Sequence, residues 1–171
     1  ETLPADFENT VTLAVGETRY YNISFTAGQT LIAKSEYVTV KYNGKTYTAD
    51  AGSGVVLVPL GASAGSATVA ISSVDTEEAT VELALADVTP LSDGGTIGTM
   101  AKGASAWYSI SYTAGKVLVI ESADVWVVYR NVIYTPQNGV IKIALNANGT
   151  TAVFEVIAKE AVSSAVAAQV V

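Results

Sequence analysis

The chain is defined first by the residue types that it lacks. It contains no cysteine and no histidine among its 171 residues. The first absence excludes disulfides, thiol nucleophiles and cysteine-ligated zinc or iron–sulfur centres. The second excludes a Ser-His-Asp triad, an imidazole base and histidine-ligated metals. Aromatic and carboxylate chemistry therefore remains for a functional site, and we predict no metal, cofactor or catalytic residue.

Positive charge is also scarce. Nine Lys and Arg residues stand against 16 Asp and Glu, which gives a formal net charge of −7. Nucleic acids and anionic membrane surfaces are bound through basic patches, so neither is expected as a partner. No apolar run approaches the roughly 20 residues that a membrane-spanning helix needs. Membrane insertion is therefore not expected either.

The beginning of the chain and its composition indicate an exported protein. The sequence starts at Glu1 without a Met, a basic segment or an apolar segment, as expected after removal of a signal peptide. Half of the residues are hydrophobic and 15% are charged. Small secreted domains of animals usually carry disulfides, so a chain without cysteine favours a bacterial source. The predicted location is extracellular or at the bacterial cell surface.

An internal repeat divides the chain into two copies. The stretch GETRYYNISFTAG at 16–28 returns as GASAWYSISYTAG at 103–115, an offset of 87. Between Thr12 and Thr48 the two copies share 16 identities over 37 aligned positions. The offset falls to 85 after a two-residue deletion near Gly52. A repeat of this length is a whole domain, and the segment that breaks regular structure near Val88 predicts domains at residues 1–87 and 88–171.

Both copies have the pattern of β-strands. Apolar and polar residues alternate at 20–25 and again at 107–112, which is typical of strands with one buried face. Further apolar runs bring the total to seven or eight short strands per copy, with turn residues between them and no convincing helix. The predicted fold class is all-β, with two tandem, related, jelly-roll-like β-sandwich domains.

A tight hairpin fixes the strand register in each copy. Asn43-Gly44 lies between two alternating runs and predicts a type I′ turn, in which both central residues have positive φ. Val40 is then expected opposite Tyr47. The second copy has Arg130-Asn131 at the same place, which sets Val127 opposite Tyr134. This register turns Val40, Val127 and the repeated tyrosines Tyr21, Tyr108, Tyr42, Tyr129, Tyr47 and Tyr134 toward the cores.

One segment of each copy resembles a known family. The run Gly-x-x-x-(Tyr/Trp)-Tyr-x-Ile-Ser-(Phe/Tyr)-Thr-Ala-Gly-x-x-Leu, at 16–31 and 103–118, resembles the opening of the bacterial pre-peptidase C-terminal type of β-sandwich module. Those modules accompany catalytic domains in secreted bacterial enzymes and surface proteins, and they are similar in build to carbohydrate-binding modules. The resemblance implies the fold and a non-catalytic character, and it assigns no site residue.

The copies differ on the face predicted to point away from the core. The first copy has Tyr20, Thr39, Lys41 and Thr46 there, whereas the second has Trp107, Trp126, Val128 and Ile133. An exposed apolar patch usually marks a contact surface, and the large, rigid Trp ring suits stacking on a sugar. The predicted ligand is a polysaccharide, starch or glucan being candidates. The predicted binding residues are Trp126, Trp107, Arg130, Tyr20, Asn131 and Gln137, with Asn138 as a further polar candidate.

A second interpretation remains open at this stage. The same aromatic residues could pack against the other copy or a neighbouring domain of a larger chain, since domains joined by short linkers commonly share an apolar interface. The chain would then be a structural spacer or a protein-interaction pair of domains. Exposure of Trp107 and Trp126 distinguishes the two interpretations, because a binding platform needs an open ring.

Acidic residues provide weaker candidates. Asp75, Glu77 and Glu78 cluster in one loop, and Glu121 lies close to Asp124. The spacing matches no calcium-binding loop, so a solvated charged turn is favoured over a cation site. No pair of carboxylates stands out for glycoside hydrolysis, and the chain is not expected to be an enzyme.

Overall fold

The computed structural model describes residues 9–74 and 76–171. The described chain divides into two compact units. The first runs up to Asp50 and from Gly54 to Asp87, and the second comprises Ala51–Ser53 together with Val88–Val171. Each unit is a β-sandwich, which confirms the predicted fold class.

Eight strands form the first unit. They are β1 (Asn9–Leu13), β2 (Thr18–Phe25), β3 (Thr30–Ala33), β4 (Val38–Tyr42), β5 (Lys45–Tyr47), β6 (Val56–Pro59), β7 (Gly65–Ser73) and β8 (Ala79–Ala86). Two four-stranded sheets result, with the orders β1-β8-β3-β6 and β2-β7-β4-β5. Neighbouring strands are antiparallel throughout these two sheets. Two sheets of eight strands in this order make a jelly roll.

Nine strands form the second unit. They are β9 (Val88–Leu91), β10 (Thr96–Ile97), β11 (Ser105–Ser111), β12 (Val117–Glu121), β13 (Val125–Tyr129), β14 (Val132–Tyr134), β15 (Val140–Ala144), β16 (Thr151–Ala158) and β17 (Val166–Val170). The sheet orders are β10-β17-β12-β15 and β14-β13-β16-β11-β9. Strands β10–β17 follow the order of β1–β8, and β9 is an addition that pairs parallel with β11.

The core of each unit lies between its two sheets, because strand alternation turns every second side chain inward. Tyr21 and Val40 are buried in the first core, and Tyr108 and Val127 in the second. Tyr42 and Tyr129 are buried at the same two places in the repeat, while Tyr47 and Tyr134 pack against the cores with part of their surface exposed. The predicted inward set is therefore confirmed.

The two predicted hairpins are present with the predicted register. Val40 is opposite Tyr47, and Val127 is opposite Tyr134. Asn43 and Gly44 have φ of 48° and 76°, as a type I′ turn requires. Arg130 and Asn131 adopt φ of 49° and 62° in the second copy. Arg is not a residue that favours this region, so its place at the tip requires a compensating contact.

The described residues contain no helix that is both long and apolar enough to cross a bilayer.

Candidate functional site

The outer surface of the five-stranded sheet in the second unit carries a cluster of apolar side chains next to Glu155, which is opposite Val128. Trp126 on β13 is opposite Ile157 on β16, and Val128 is opposite Ile133 on β14. We call these four residues the outer apolar face. The aligned positions of the first unit carry only polar side chains, and their pairing is the same: Thr39 opposite Ser72, and Lys41 opposite Thr46.

The residues of the outer apolar face differ in exposure. Ile133 is 60% exposed, whereas Trp126, Val128 and Ile157 are half-buried. None of the four belongs to the hydrophobic core of the second unit. The orientation predicted for Trp126, Val128 and Ile133 is therefore confirmed, although the Trp126 ring is not fully open.

Trp107 does not have the exposure expected of a binding platform. It lies on β11 on the same outward side, opposite Glu155 of β16, yet only 8% of its surface is exposed. The sequence left two outcomes open for Trp107, an exposed ring or a packed one, and the ring is packed. Strand alternation determines which side of a sheet a residue takes, but not what packs on that side. Two strand spacings, about 10 Å, separate β11 from the β13 strand that carries Trp126.

Tyr20 belongs to the first unit, where it is the aligned counterpart of Trp107. It is 62% exposed on β2, opposite Ala70 of β7. Its orientation away from the core is as predicted. The four aligned polar residues described above share the outward side of its sheet, so Tyr20 lies among polar side chains there and not in an apolar cluster.

Arg130 and Asn131 occupy the tip of the β13–β14 hairpin. Asn131 is exposed, but Arg130 is half-buried and its Nη1 donates a hydrogen bond to the carbonyl oxygen of Ala51. The neighbouring Tyr129 hydroxyl donates a hydrogen bond to the carbonyl oxygen of Gly52 at 2.5 Å, and it accepts one from the backbone N–H of Asn146 at 3.3 Å. Arg130 therefore holds the Ala51–Ser53 segment of the second unit, a structural role that the sequence did not predict.

A concavity of about 530 Å³ lies between the edge strands β14 and β15 of the second unit. Its lining residues are Tyr134, Thr135, Gln137, Asn138, Val140, Ile141 and Lys142. Gln137 is the predicted site residue that the structure brings to this concavity, together with the further polar candidate Asn138. Trp126, Arg130, Asn131 and Tyr20 are not among the lining residues, and neither is Trp107.

A tight turn presents the two amide side chains. Gln137 and Val140 exchange backbone hydrogen bonds of 2.9 and 3.1 Å around Asn138 and Gly139. Those two residues have φ of 53° and 79°, as a two-residue turn of this kind requires. Side-chain amides both donate and accept hydrogen bonds, so this rim can satisfy hydroxyl groups of either polarity.

The positive charge in the lining is specific to the second copy. Lys142 aligns with Leu57 of the first copy, which is half-buried on β6. Tyr134 and Ile141 align with Tyr47 and Val56, which keep their aromatic or aliphatic character. Sequence reasoning missed Lys142, although its replacement of an aliphatic residue in an aligned strand is a signal of the same kind as Trp126 against Thr39.

The acidic clusters do not form a metal centre among the residues that the structure describes. No group of three or more His, Cys, Asp or Glu side chains comes together there. Glu77 and Glu78 are exposed, and Asp75 lies outside the described residues. Glu121 and Asp124 are also exposed, and the backbone carbonyl of Asp124 accepts from the amide of Lys159 at 2.8 Å.

Comparison with known proteins assigns neither a family nor a function to the chain. No family model matches the chain, and no curated protein matches it. Among solved structures, the CUB1-EGF-CUB2 domain of human MASP-1/3 is similar with a TM-score of 0.31 and 9% sequence identity, over 97% of this chain and 100% of that chain. The resemblance to pre-peptidase C-terminal modules thus stays a prediction, and function has to be argued from the residues of the site.

Proposed function

We propose that the chain is a non-catalytic module of an extracellular bacterial protein and that its second unit binds polysaccharide in the concavity between β14 and β15. The observation that carries the proposal is the lining itself. Tyr134 supplies an aromatic surface, and Gln137 and Asn138 supply amides beside it. A volume of about 530 Å³ falls within the usual range of small-ligand sites.

The chemistry of this lining suits a sugar better than a flat apolar ligand. Sugar rings present C–H surfaces to aromatic side chains and hydroxyl groups to polar ones. The Thr135 hydroxyl and the two amides can each donate and accept, which matches the dual character of a sugar hydroxyl. The predicted role of Gln137 is retained in this proposal, whereas the buried Trp107 ring has no part in it.

A protein-interaction role is the second candidate, and the outer apolar face favours it. The exposed Ile133 and the half-buried Trp126 stand where the first copy has Thr46 and Thr39. Exposed apolar surface commonly marks contact between proteins. This role uses a different side of β14 from the concavity. Substitutions in the two places therefore separate the two functions.

The test is a binding screen against soluble and insoluble polysaccharides, followed by titration calorimetry with oligosaccharides of any polymer that binds. We expect Gln137→Ala to weaken binding by about 2- to 10-fold, the equivalent of one hydrogen bond. Asn138→Gly removes the second amide and keeps a residue suited to its φ of 53°. Gln169→Ala is the matched control, because Gln169 is exposed on β17 and is not a lining residue.

Two results would contradict the proposal. One is the absence of binding to every polysaccharide in the screen. The other is binding that both lining variants leave unchanged. Binding that is lost in Trp126→Ala, and kept in Gln137→Ala and Asn138→Gly, would place the site on the outer apolar face instead.

A further inference from the structure

We infer that the concavity selects glycans that carry an anionic substituent and that Lys142 is the residue that recognises it. This inference rests on the proposed function and narrows its ligand class. Lys142 is the charged member of the lining, because Tyr134, Thr135, Gln137, Asn138, Val140 and Ile141 carry no charge at neutral pH. A binding site with one ammonium group and no carboxylate in its lining favours an anion over a neutral ligand.

The ammonium group of Lys142 is not committed to an ion pair within the described residues. Ion pairs such as Arg19 with Glu17, Lys34 with Glu82 and Lys102 with Glu160 do not include it. Across the sheet, Lys142 is opposite Val119 of β12, while Glu121 is opposite Val140. Glu121 is thus one diagonal position away from Lys142 and outside the lining, so a ligand anion meets no competing carboxylate inside the concavity.

The negative net charge of the chain does not come from the part that contains Lys142. Residues 88–171 contain five Lys or Arg and five Asp or Glu, so this part of the chain is formally neutral. Residues 1–87 contain four Lys or Arg and eleven Asp or Glu, which accounts for the whole net charge of −7. The acidic overall composition therefore does not describe the unit that contains Lys142.

The shared chemistry of the ligand is an anionic group on a sugar ring, either the carboxylate of a uronic acid or a sulfate ester. The Lys ammonium is a compact point charge with three hydrogen-bond donors, and it can bind either a carboxylate or a sulfate. Lys142 stands where the first copy has Leu57, so the second copy alone carries a charge at this position. The neighbouring amides of Gln137 and Asn138 can donate to the oxygens that the ammonium leaves unpaired.

Matched ligands isolate the contribution of charge. Titration calorimetry would compare oligogalacturonates with their methyl esters, which keep the sugar backbone and remove the charge. Sulfated and unsulfated dextran oligosaccharides form the second pair and distinguish a sulfate from a carboxylate. The protein variants are Lys142→Gln and the control Lys159→Gln, which makes the same change at an exposed Lys outside the lining.

We expect an acidic oligosaccharide to bind more tightly than its neutral partner, and Lys142→Gln to remove that preference by weakening the acidic ligand about 2- to 5-fold, as for one exposed ion pair. Lys159→Gln should leave the preference intact. Equal binding of charged and neutral partners would overturn the inference and leave the proposed function standing. An equal loss of affinity for the acidic oligosaccharide in both Lys variants would overturn the inference as well. The preference would then come from the overall charge of the protein and not from Lys142. Absence of binding to all glycans, charged or neutral, would overturn the proposed function itself.

Discussion

Gly149 should be intolerant of even one added methyl group, because of how closely it approaches the Ala51–Ser53 segment. A Cβ at this position would overlap the backbone of Gly52 and the hydroxyl of Tyr112. Gly149 does not have a positive φ, so its backbone conformation would accept alanine and the cost is steric alone. Backbone atoms cannot yield as a flexible side chain does, and the segment must move if the methyl is to fit.

The size of the effect follows from what that movement would break. Overpacking of a buried site costs about 1–3 kcal/mol of unfolding free energy. The buried Tyr129 hydroxyl would also lose its Gly52 acceptor, and an unsatisfied buried polar group costs about 1–3 kcal/mol. We therefore expect Gly149→Ala to destabilise the second unit by roughly 2–6 kcal/mol.

Urea denaturation followed by tryptophan fluorescence measures this effect in the right part of the chain, because both tryptophans, Trp107 and Trp126, belong to the second unit. With a slope of about 2 kcal/mol/M, the urea midpoint should fall by about 1–3 M. Gly98→Ala is the control, since a Cβ there has no atom within 4 Å. If the two variants unfold at the same urea concentration, the close packing of Gly149 against Gly52 is refuted.

Two further predictions concern the first unit. Tyr42→Phe removes a buried hydroxyl that donates to the Leu60 carbonyl at 2.8 Å, and we expect a loss of about 1 kcal/mol of unfolding free energy by calorimetry, with no loss contradicting the bond. Two hydrogen bonds lower the pKa of the Glu17 carboxyl below 4.5: the larger effect comes from the Arg19 guanidinium and the smaller from the backbone amide of Ala14. Its stabilising contribution should therefore be present above pH 4.5 and vanish as pH falls through the lowered folded value. The stability difference between the protein and Glu17→Gln should shrink over that acidic range, and a pH-independent difference would contradict the shift.

The hairpins show how much the sequence could predict where the determining interactions are local. Asn43-Gly44 predicts its turn because few residue pairs tolerate two positive φ angles in succession. Once that turn is set, a side-chain period of two fixes the face of every residue along both strands. The inward tyrosines and the outward direction of Trp126 both follow from this register, and the repeat transfers the result to the tip at Arg130.

The candidate site was predicted only in part, because its residues come together through packing between strands of different sheets. Gln137 was selected for being polar and near a loop, and the structure places it in the concavity. Lys142 was missed because β15 belongs to the other sheet, and its nearness to β14 is not encoded in alternation. Arg130 was selected for its position at the tip, yet its guanidinium donates to the carbonyl of a residue 79 positions away.

The sequence by itself determined most of the strands, the two hairpins with their register, and the side of the sheet that their residues take, because these depend on backbone geometry and on contacts between near neighbours in the chain. It did not predict β9, which lies in the segment expected to break regular structure. Tertiary structure alone decided that the Trp107 ring is buried, that Arg130 is engaged by Ala51, and that Lys142 shares a concavity with Gln137. Each of these depends on which distant segment packs on a given surface. Alternation leaves that choice open, because it defines an outward face without defining what covers it.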